Sequence, residues 1–401
     1  MTAARRGAAD ASRIVATRGL RGFGDGLVSV LLADYLTRLG MTPLEVGAIV
    51  TGTLLGSAAV TMGVGLLGAR VDLRRVLLAA ALLMAVTGLG FASLTRFWPL
   101  LAVAVVGTLN PSAGDVSLFL PTEQAVLAHA TPAAGRTRAF AWYNLAGALA
   151  VGLGALASGA PALVAEATGG SVVGAERMAF AVYAALALAI ALVYRGLART
   201  AVALRPRGAP LARSRRIVLE LAALFSLDAF GGGFVVQSLL VLWLSRRFGL
   251  APGTMASVFF AAGLLGAFSQ LASARLAARI GLVRTMVYTH LPANALLVAA
   301  GVVPSAPLAV AFLLLRAACA SMDVPARQAY VMAVVPPEER AAAASVTNVP
   351  RSLASALPPL LAGLMLERTA FGWPLVCCGV LKAVYDGLIL VRFRDVPPGL
   401  E

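Results

Sequence analysis

The sequence predicts an all-α polytopic membrane protein, whose twelve transmembrane helices form two parallel, pseudo-symmetric six-helix bundles. Three observations predict this fold: an apolar composition, twelve apolar runs of spanning length, and an internal repeat. Of the 401 residues, 60% are hydrophobic and only 13% are charged, with a mean hydropathy of +0.87. So few charges cannot cover a water-facing surface, so lipid must cover most of the outside. The composition excludes a disordered chain, a nucleic-acid-binding protein and an ordinary soluble enzyme.

Twelve apolar runs lie between charged or Pro/Gly-rich breaks. A helix needs about 20 residues to cross the bilayer core. The predicted spans, one to twelve, are residues 17–38, 44–67, 75–94, 98–120, 137–160, 176–196, 217–244, 253–274, 284–303, 306–324, 341–366 and 373–392. Arg18, Arg21 and Asp25 interrupt the first run, which we therefore interpret as a retained helix and not as a cleavable signal.

The arginines predict the orientation and the division of the chain. If both termini lie on one side of the membrane, most of the arginines fall in the loops of that side. Seven of them lie in the segment from Arg195 to Arg216, both included. The positive-inside rule places this side in the cytoplasm, with the protein in the cytoplasmic membrane. The net charge of +15 is then explained by contact with anionic lipid, not with nucleic acid. We expect an N-terminal half at 1–196, a basic linker at 197–216 and a C-terminal half at 217–401.

An internal repeat supports this division. Phe23 to Gly26 match Phe230 to Gly233 at an offset of 207 positions. At an offset of 204, the residues Pro121, Gln124, Ala125, Pro132, Arg136 and Asn144 recur as Pro325, Gln328, Ala329, Pro336, Arg340 and Asn348. An even number of spans per half gives both halves the same orientation, so the repeats are parallel, and a site is expected between them near the midplane.

Twelve spans in two sets of six, a basic central loop and this repeat resemble the major facilitator superfamily over nearly the whole chain. The family signature between helices two and three, G-x-L-A-D-R-x-G-R-[RK], is matched here at Gly65, Leu67, Arg70 and Arg74, with Ala69 in place of its Asp. The second half keeps Leu276, Arg279 and Gly281 of that signature. Arg70 and Arg279 are therefore expected in cytoplasmic loops, and Asp72 is expected to pair with a nearby arginine. The resemblance implies a transporter whose cavity is lined by helices one, four, seven and ten.

Proton-coupled drug exporters of this superfamily carry two further motifs. Span four, at Asn110 to Asp115, lacks their arginine, and span five has only a loose likeness to their Gly-Pro-rich motif. The resemblance therefore supports a transporter more firmly than a drug antiporter.

Ten of the ionisable residues within the predicted spans are the candidate functional residues, because such a residue costs at least about 2.5–3.5 kcal/mol at a helix centre. They are Arg21, Asp25, Asp34, Asp115, Asp228, Arg316, Asp323, Arg351, Lys382 and Asp386, and most lie in spans one, four, seven and ten. Asp25, Asp115, Asp228 and Asp34 are the candidates for proton coupling. The alternative is that these carboxylates lie at wet helix ends or pair with cations of other helices.

The substrate-cavity candidates are Arg21, Arg316, Arg351, Asn144, Asn348 and Asp323. Arg316 and Arg351 either bind an anionic group of the substrate or neutralise Asp115 or Asp228. Asn144 and Asn348, which are repeat partners, either bind substrate or join helices. Arg21 and Asp25 share one helix face. Lys382 and Asp386 are also four residues apart and are expected to neutralise each other.

Glu123 and Arg327 occupy equivalent positions in the two halves, at the offset of 204. Because repeat symmetry places such positions at the same depth, we predict a salt bridge between the halves that closes the cytoplasmic side in the outward-open state. The alternative is that Arg327 pairs only with Asp323. Arg21 and Asp228 are aligned in the same way at 207.

The predicted function is secondary active transport of a small organic solute by alternating access, with proton-coupled efflux as the first expectation. The alternative is proton-coupled uptake, or facilitated transport, of an organic anion. A membrane-embedded enzyme and a non-transporting sensor are the alternatives of other classes. We expect no enzymatic activity, cofactor or metal, and a monomer that interacts with its substrate, protons and membrane lipid.

Overall fold

The computed structural model describes residues 3–66, 70–112, 118–132, 135–198, 201–203, 211–336 and 338–394. These residues are almost entirely helical, as predicted. The N-terminal helices are α1 (Ala3–Arg38), α2 (Pro43–Leu66), α3 (Leu73–Ser93), α4 (Phe97–Val106), α5 (Phe119–Ala130), α6 (Arg136–Ala157), α7 (Ala160–Thr168) and α8 (Val172–Arg195). The C-terminal helices are α9 (Arg215–Gly233), α10 (Gln237–Phe248), α11 (Pro252–Ile280), α12 (Leu282–Val302), α13 (Ala306–Ala320), α14 (Asp323–Val334), α15 (Arg340–Ala356), α16 (Pro358–Arg368) and α17 (Trp373–Phe393).

A helix, or a pair of helices, lies in each of the twelve predicted spans. Among the described residues, 10 helical stretches are long and apolar enough to cross a membrane. The first span lies in the more polar α1, and the fourth in the short apolar α4 together with α5. The twelve-helix fold is therefore confirmed.

Spans four, seven, ten and eleven are each divided between two helices. In span four, α4 ends at Val106, directly before Gly107, and α5 begins at Phe119. Three consecutive glycines end α9 at Gly233, and the adjacent prolines at 358 and 359 begin α16. Glycine is a weak helix former, and proline lacks the N–H group that a helix interior needs.

Within each half, a glycine allows the helix of the first span to pack closely against the helix of the fifth span. A Cβ atom on Gly26 of α1 would lie 2.0 Å from the carbonyl oxygen of Val151 in α6. In the C-terminal half, a Cβ on Gly233 of α9 would lie 2.5 Å from the carbonyl oxygen of Ser355 in α15. These helix pairs are therefore in backbone contact, as small residues permit.

The two halves are held together at one end of the molecule, which we call the distal end. The linker end is the opposite one, where residues 201–203 and 211–214 lie. A Cβ on Gly47 of α2 would lie 3.0 Å from the Cα of Gly363 in α16. Beside this contact, the Leu44 N–H donates a hydrogen bond to Glu367 Oε2 at 3.0 Å. A Cβ on Gly159 would lie 3.2 Å from the Cα of Gly253. Close backbone packing therefore joins the halves distally.

The connection between the halves is tied to both of them. Strand β1 (Arg70–Asp72), in the signature loop, pairs antiparallel with β2 (Ala201–Ala203), which was not predicted. Asp72 caps α3 and lies 3.6 Å from Arg75 Nε, which confirms the expected local pairing. The Arg70 side chain lies outside the described part of the chain.

Glu339 holds the other end of the connection. Its carboxylate accepts hydrogen bonds from the backbone N–H groups of Ala212, Arg213 and Ser214 and from the Ser214 hydroxyl. These hydrogen bonds, with the Ser214 hydroxyl the strongest contributor, lower the pKa of Glu339 to about 2. The linker is thus bound to the N-terminal half by a strand and to the C-terminal half by a carboxylate.

Candidate functional site

A buried ion pair joins α1 to α5 in the N-terminal half. The Arg21 guanidinium lies 2.8 Å from Glu123 Oε2 and 3.4 Å from Asp25 Oδ2. Arg21 is only 2% exposed and Glu123 is fully buried. Arg21 and Asp25, which share one helix face, are in contact, but Glu123 is the closer partner of the arginine.

Glu123 is saturated with hydrogen-bond donors. Besides Arg21, it accepts hydrogen bonds from the hydroxyls of Tyr143 and Tyr194, both at 2.6 Å, and from the hydroxyl of Thr17 at 3.2 Å. These side chains come from α1, α6 and α8, so the carboxylate ties four helices of this half together. Charge-assisted hydrogen bonds of this kind are about twice as strong as neutral ones. Glu123 therefore acts as a fixed, ionised anchor.

Asp25 is held less tightly. The Arg21 guanidinium and the Asn110 side-chain amide each lie 3.4 Å from its Oδ2 atom, and Arg18 interacts with it electrostatically. Both contacts are longer than a normal charged hydrogen bond, although Asp25 is only 5% exposed. Of the two carboxylates that face Arg21, Asp25 therefore has the longer and weaker polar contacts.

The C-terminal half contains a second buried network, centred on Asp228 of α9. Lys382 Nζ donates a hydrogen bond to Asp228 Oδ1 at 2.6 Å, and Arg327 Nη1 donates one to Oδ2 at 3.0 Å. Arg327 also lies 3.6 Å from Asp323. The predicted Lys382–Asp386 pair was wrong: each residue is bound to another helix, Lys382 to α9 and Asp386 to α12.

The two networks are equivalent in the repeat but have exchanged charges. Arg21 corresponds to Asp228 at an offset of 207, and Glu123 corresponds to Arg327 at an offset of 204. In each half the two positions pair with each other, at 2.8 Å in the N-terminal half and 3.0 Å in the C-terminal half. The repeat therefore identified the right residues but not their partners.

The predicted Glu123–Arg327 bridge between the halves is not formed. Both side chains are buried within their own half, at 0% and 5% exposure, and their charges are met there by Arg21 and by Asp228. Removing Glu123 would leave Arg21 with only the more distant Asp25, and removing Arg327 would take one of its two close cations from Asp228, which is unfavourable for buried charges. In this structure, whose halves meet at the distal end, both residues stabilise their own bundles, and the bridge of the outward-open state stays a prediction.

Arg316 and Arg351 differ from the other buried cations. Both are partly buried, their Nε atoms have no hydrogen-bond partner, and neither forms an ion pair with a residue that the structure describes. Arg351 interacts electrostatically with Asp228 and Asp323, and Arg316 with Cys378, so both lie around the Asp228 network. The expected neutralisation by Asp228 is not a direct contact, and Asp115 lies outside the described residues.

The remaining candidates are dispersed. Asp34 pairs with Arg38 at 3.0 Å near the distal end of α1, a local partner that the sequence analysis overlooked; Arg38 also lies 3.5 Å from Glu176. Asn144 and Asn348 are exposed and form no hydrogen bond with a described residue. Arg279 is exposed near the end of α11.

Sequence reasoning missed a buried group between α12 and α17. His290 Nδ1 lies 2.9 Å from Asp386 Oδ1, and the Asn294 amide donates to Asp386 Oδ2 at 2.8 Å. A signal was present, because His290 and Asn294 lie four residues apart on one face of α12, as Lys382 and Asp386 do on α17. In the described part of the chain, no three His, Cys, Asp or Glu side chains are grouped as metal ligands.

The comparison with known families agrees with this architecture. The Major Facilitator Superfamily model matches residues 14–293 and, in a second match, residues 221–401. The chain belongs to the major facilitator superfamily. It is therefore a multi-pass membrane transporter and not an enzyme. Transporters of this superfamily bind small-molecule substrates.

The similar proteins share this fold. An uncharacterized membrane protein of Saccharomyces cerevisiae, YJR124C, is 24% identical over 94% of this chain and 92% of that protein. A bacterial homologue of the human lysosomal transporter Spinster, in an inward-facing and unoccupied conformation, superposes with a TM-score of 0.74 at 14% identity over 96% of each chain. A D-xylose–proton symporter superposes with a TM-score of 0.74 at 14% identity, over 97% of this chain and 98% of that one.

Proposed function

We propose that this protein is a proton-coupled secondary transporter for a small organic solute with a negatively charged group. The observation that carries the proposal is the pair Arg316 and Arg351, which lie around the Asp228 network without an ion pair among the described residues. Arginine stays charged when it is buried, and it binds carboxylates and phosphates in a fixed geometry. A permanent cation without a counter-ion in lipid is expensive unless it has a function.

The charge balance around Asp228 supports an anionic ligand. The permanent cations of this cluster are Lys382, Arg327, Arg316 and Arg351, and its carboxylates are Asp228, Asp323 and Asp386. Among the residues that the structure describes, the cluster thus holds one more cation than carboxylates. An anionic group of the substrate would balance this excess charge.

Asp25 is the preferred proton acceptor of the N-terminal half. Its contacts are 3.4 Å long, whereas Glu123 keeps Arg21 neutralised at 2.8 Å in either protonation state of Asp25. Protonation of Asp25 therefore removes a buried charge without leaving the arginine unpaired. Asp115 and Asp228 stay secondary candidates, and Asp228 is the less suitable of the two because two cations contact it directly.

Alternating access would involve relative movement of the halves at 1–196 and 217–401. Their close contacts lie at the distal end, between α2 and α16 and between α6 and α11. If the arginine-rich linker end lies in the cytoplasm, the distal contacts close the external side. We further propose the cytoplasmic membrane as the location, cytoplasmic termini, and a monomer as the transporting unit.

The direction of transport follows from the sign of the coupling between proton and solute. Efflux in exchange for protons, the first expectation from the sequence, requires that the two compete for the protein. Uptake together with protons requires that protonation strengthens solute binding. The excess of positive charge around Asp228 supports transport of an organic anion in either direction.

The test combines ligand stabilisation with flux. Purified protein is screened with aliphatic and aromatic carboxylates, neutral sugars and nucleosides, and organic cations, and the stabilising compounds are assayed in liposomes with and without a pH gradient. Arg351→Gln and Arg316→Gln should weaken binding of carboxylates while the protein stays folded. Arg279→Gln, at an exposed arginine of α11, is the matched control.

Two results would contradict the proposal. Stabilisation by neutral or cationic compounds alone would refute the proposal that the substrate carries a negatively charged group. Flux that does not depend on the pH gradient, both in the natural protein and in Asp25→Asn, would refute the proposal of proton coupling.

A further inference from the structure

His290 lies between two carboxylates from different helices. Its Nδ1 atom is 2.9 Å from Asp386 Oδ1 of α17, and its Nε2 atom is 3.9 Å from Asp228 Oδ1 of α9. The histidine is only 4% exposed and Asp386 only 1% exposed. The imidazole therefore connects Asp386, which the proposed transport site does not use directly, to the centre of the C-terminal network.

The hydrogen bonds determine which nitrogen of His290 is free to take up a proton. Asp386 Oδ2 accepts a hydrogen bond from the Asn294 amide at 2.8 Å, so this carboxylate faces donors on both oxygens. An ionised carboxylate can only accept, so Nδ1 of His290 carries the hydrogen in that pair. Nε2, which faces Asp228, is then the nitrogen without a hydrogen in the neutral ring.

Several helices of the C-terminal half contribute charged or titratable groups to the network that His290 joins. These groups are Asp228 on α9, Arg316 on α13, Asp323 and Arg327 on α14, Arg351 on α15, and Cys378, Lys382, Tyr385 and Asp386 on α17. On α11, Arg275 and Arg279 are exposed. The two carboxylates nearest to the ring are Asp386 and Asp228, and the cations Lys382 and Arg327 lie on the other side of Asp228.

We propose that His290 is a proton-binding site of the C-terminal half, with the proton taken up at Nε2 between Asp386 and Asp228. The imidazolium competes with Lys382 for Asp228 Oδ1, which now accepts from Lys382 at 2.6 Å. Binding of the proton thus loosens the link between α9 and α17 and adds positive charge beside Arg316 and Arg351. The part of this inference that concerns transport rests on the proposed function, whereas proton binding itself does not.

The consequence for transport is a specific form of coupling. An anionic solute near Arg351 should bind more tightly when His290 is charged, and the solute should in turn favour the charged imidazole, because such linkage is reciprocal. The proton site at His290 would be separate from Asp25, which lies in the N-terminal half.

The chain suits a direct test, since it contains only 2 histidines, His129 and His290. Protein labelled with ¹⁵N-histidine and reconstituted in nanodiscs should give two sets of imidazole signals between about pH 5 and pH 8. His129→Gln, at an exposed histidine on α5, assigns the signals. The expected result is a neutral Nδ1–H tautomer for His290 at high pH and protonation of Nε2 as the pH falls. A His290 ring that stays neutral, or stays charged, over this whole range would overturn the proposal.

A second experiment separates this proposal from the proposed function. His290→Gln and Asp386→Asn should both weaken the pH dependence of organic-anion binding near neutral pH, while His129→Gln keeps it. If His290 titrates in the natural protein but both variants keep the natural pH dependence, the site binds protons and its coupling role is refuted. If no organic anion binds to any variant or to the natural protein, the proposed function fails and the histidine titration still decides proton binding.

Discussion

Gly47→Ala tests whether backbone contact closes the distal end. The new methyl carbon would lie 2.5 Å from the carbonyl oxygen of Pro359 and 3.0 Å from the Cα of Gly363. Both neighbours are backbone atoms, so a side-chain rotation cannot relieve the clash. We expect α2 and α16 to separate and the population of molecules with an open distal end to rise.

The expected magnitude follows from the cost of overpacking. Inserting a methylene-sized group into a packed contact costs about 1–3 kcal/mol. Because this contact exists only while the distal end is closed, the whole cost acts on the equilibrium between the conformations. A coupling of that size corresponds to a shift of about 5–150-fold. The gain in helix propensity from glycine to alanine, up to about 1 kcal/mol, applies to both conformations and cancels.

The assay is a distance measurement between spin labels at Thr95 and Arg368, which are exposed distal positions in the two halves. The three native cysteines are first replaced. Gly63→Ala is the matched control in the same helix, since a Cβ there meets no atom within 4 Å. Gly47→Ala should add a population with a longer distance, and Gly63→Ala should not. Identical distance distributions in both variants would refute the steric argument.

Three further predictions follow from the buried charges and the linker. Glu123→Gln should lower the free energy of unfolding by about 3–5 kcal/mol, because it leaves a buried cation short of its carboxylate; thermal unfolding in detergent that matches the natural protein would contradict this. In double-mutant cycles of unfolding, Lys382→Met should couple strongly with Asp228→Asn and only weakly with Asp386→Asn; the reverse ranking would restore the local pair predicted from the sequence. Hydrogen bonds lower the pKa of Glu339 from 4.5 to about 2, so the stabilisation that it gives to the linker is present above pH 4.5 and is lost as the pH falls towards about 2. Protease sensitivity of the linker should therefore rise over that window, and Glu339→Gln should show the raised sensitivity already at neutral pH, with no further rise on acidification.

The sequence predicted which positions carry the buried charges, but it did not predict which of these charges form ion pairs. The offset of 204 identified Glu123 and Arg327 as equivalent and opposite in charge. The ion pairs form instead between spans one and four, and between spans seven and ten, at sequence separations of 102 and 99 residues. A buried charge takes whichever counter-charge the packing brings within reach, and spacing along one helix does not reveal it. For the same reason Lys382 and Asp386 were paired wrongly.

The His290–Asp386 contact was beyond the sequence for another reason. A histidine and an aspartate on different helices, 96 residues apart, give no spacing signal until α12 is known to pack on α17. The breaks in spans four, seven, ten and eleven could be inferred only in part, because a proline or a glycine permits a break and neighbouring helices decide whether it forms.

What the sequence determined by itself was the number of spans, the repeat and the cost of the ten charges placed within the spans. These depend on hydrophobicity and length, which are properties of the local chain. Only the tertiary structure decided which charges neutralise one another, which arginines are left without a counter-charge, and at which end the halves meet. Those outcomes depend on distances of a few ångströms between helices that are remote in the sequence, because the strength of a buried charge interaction is set by separation and desolvation.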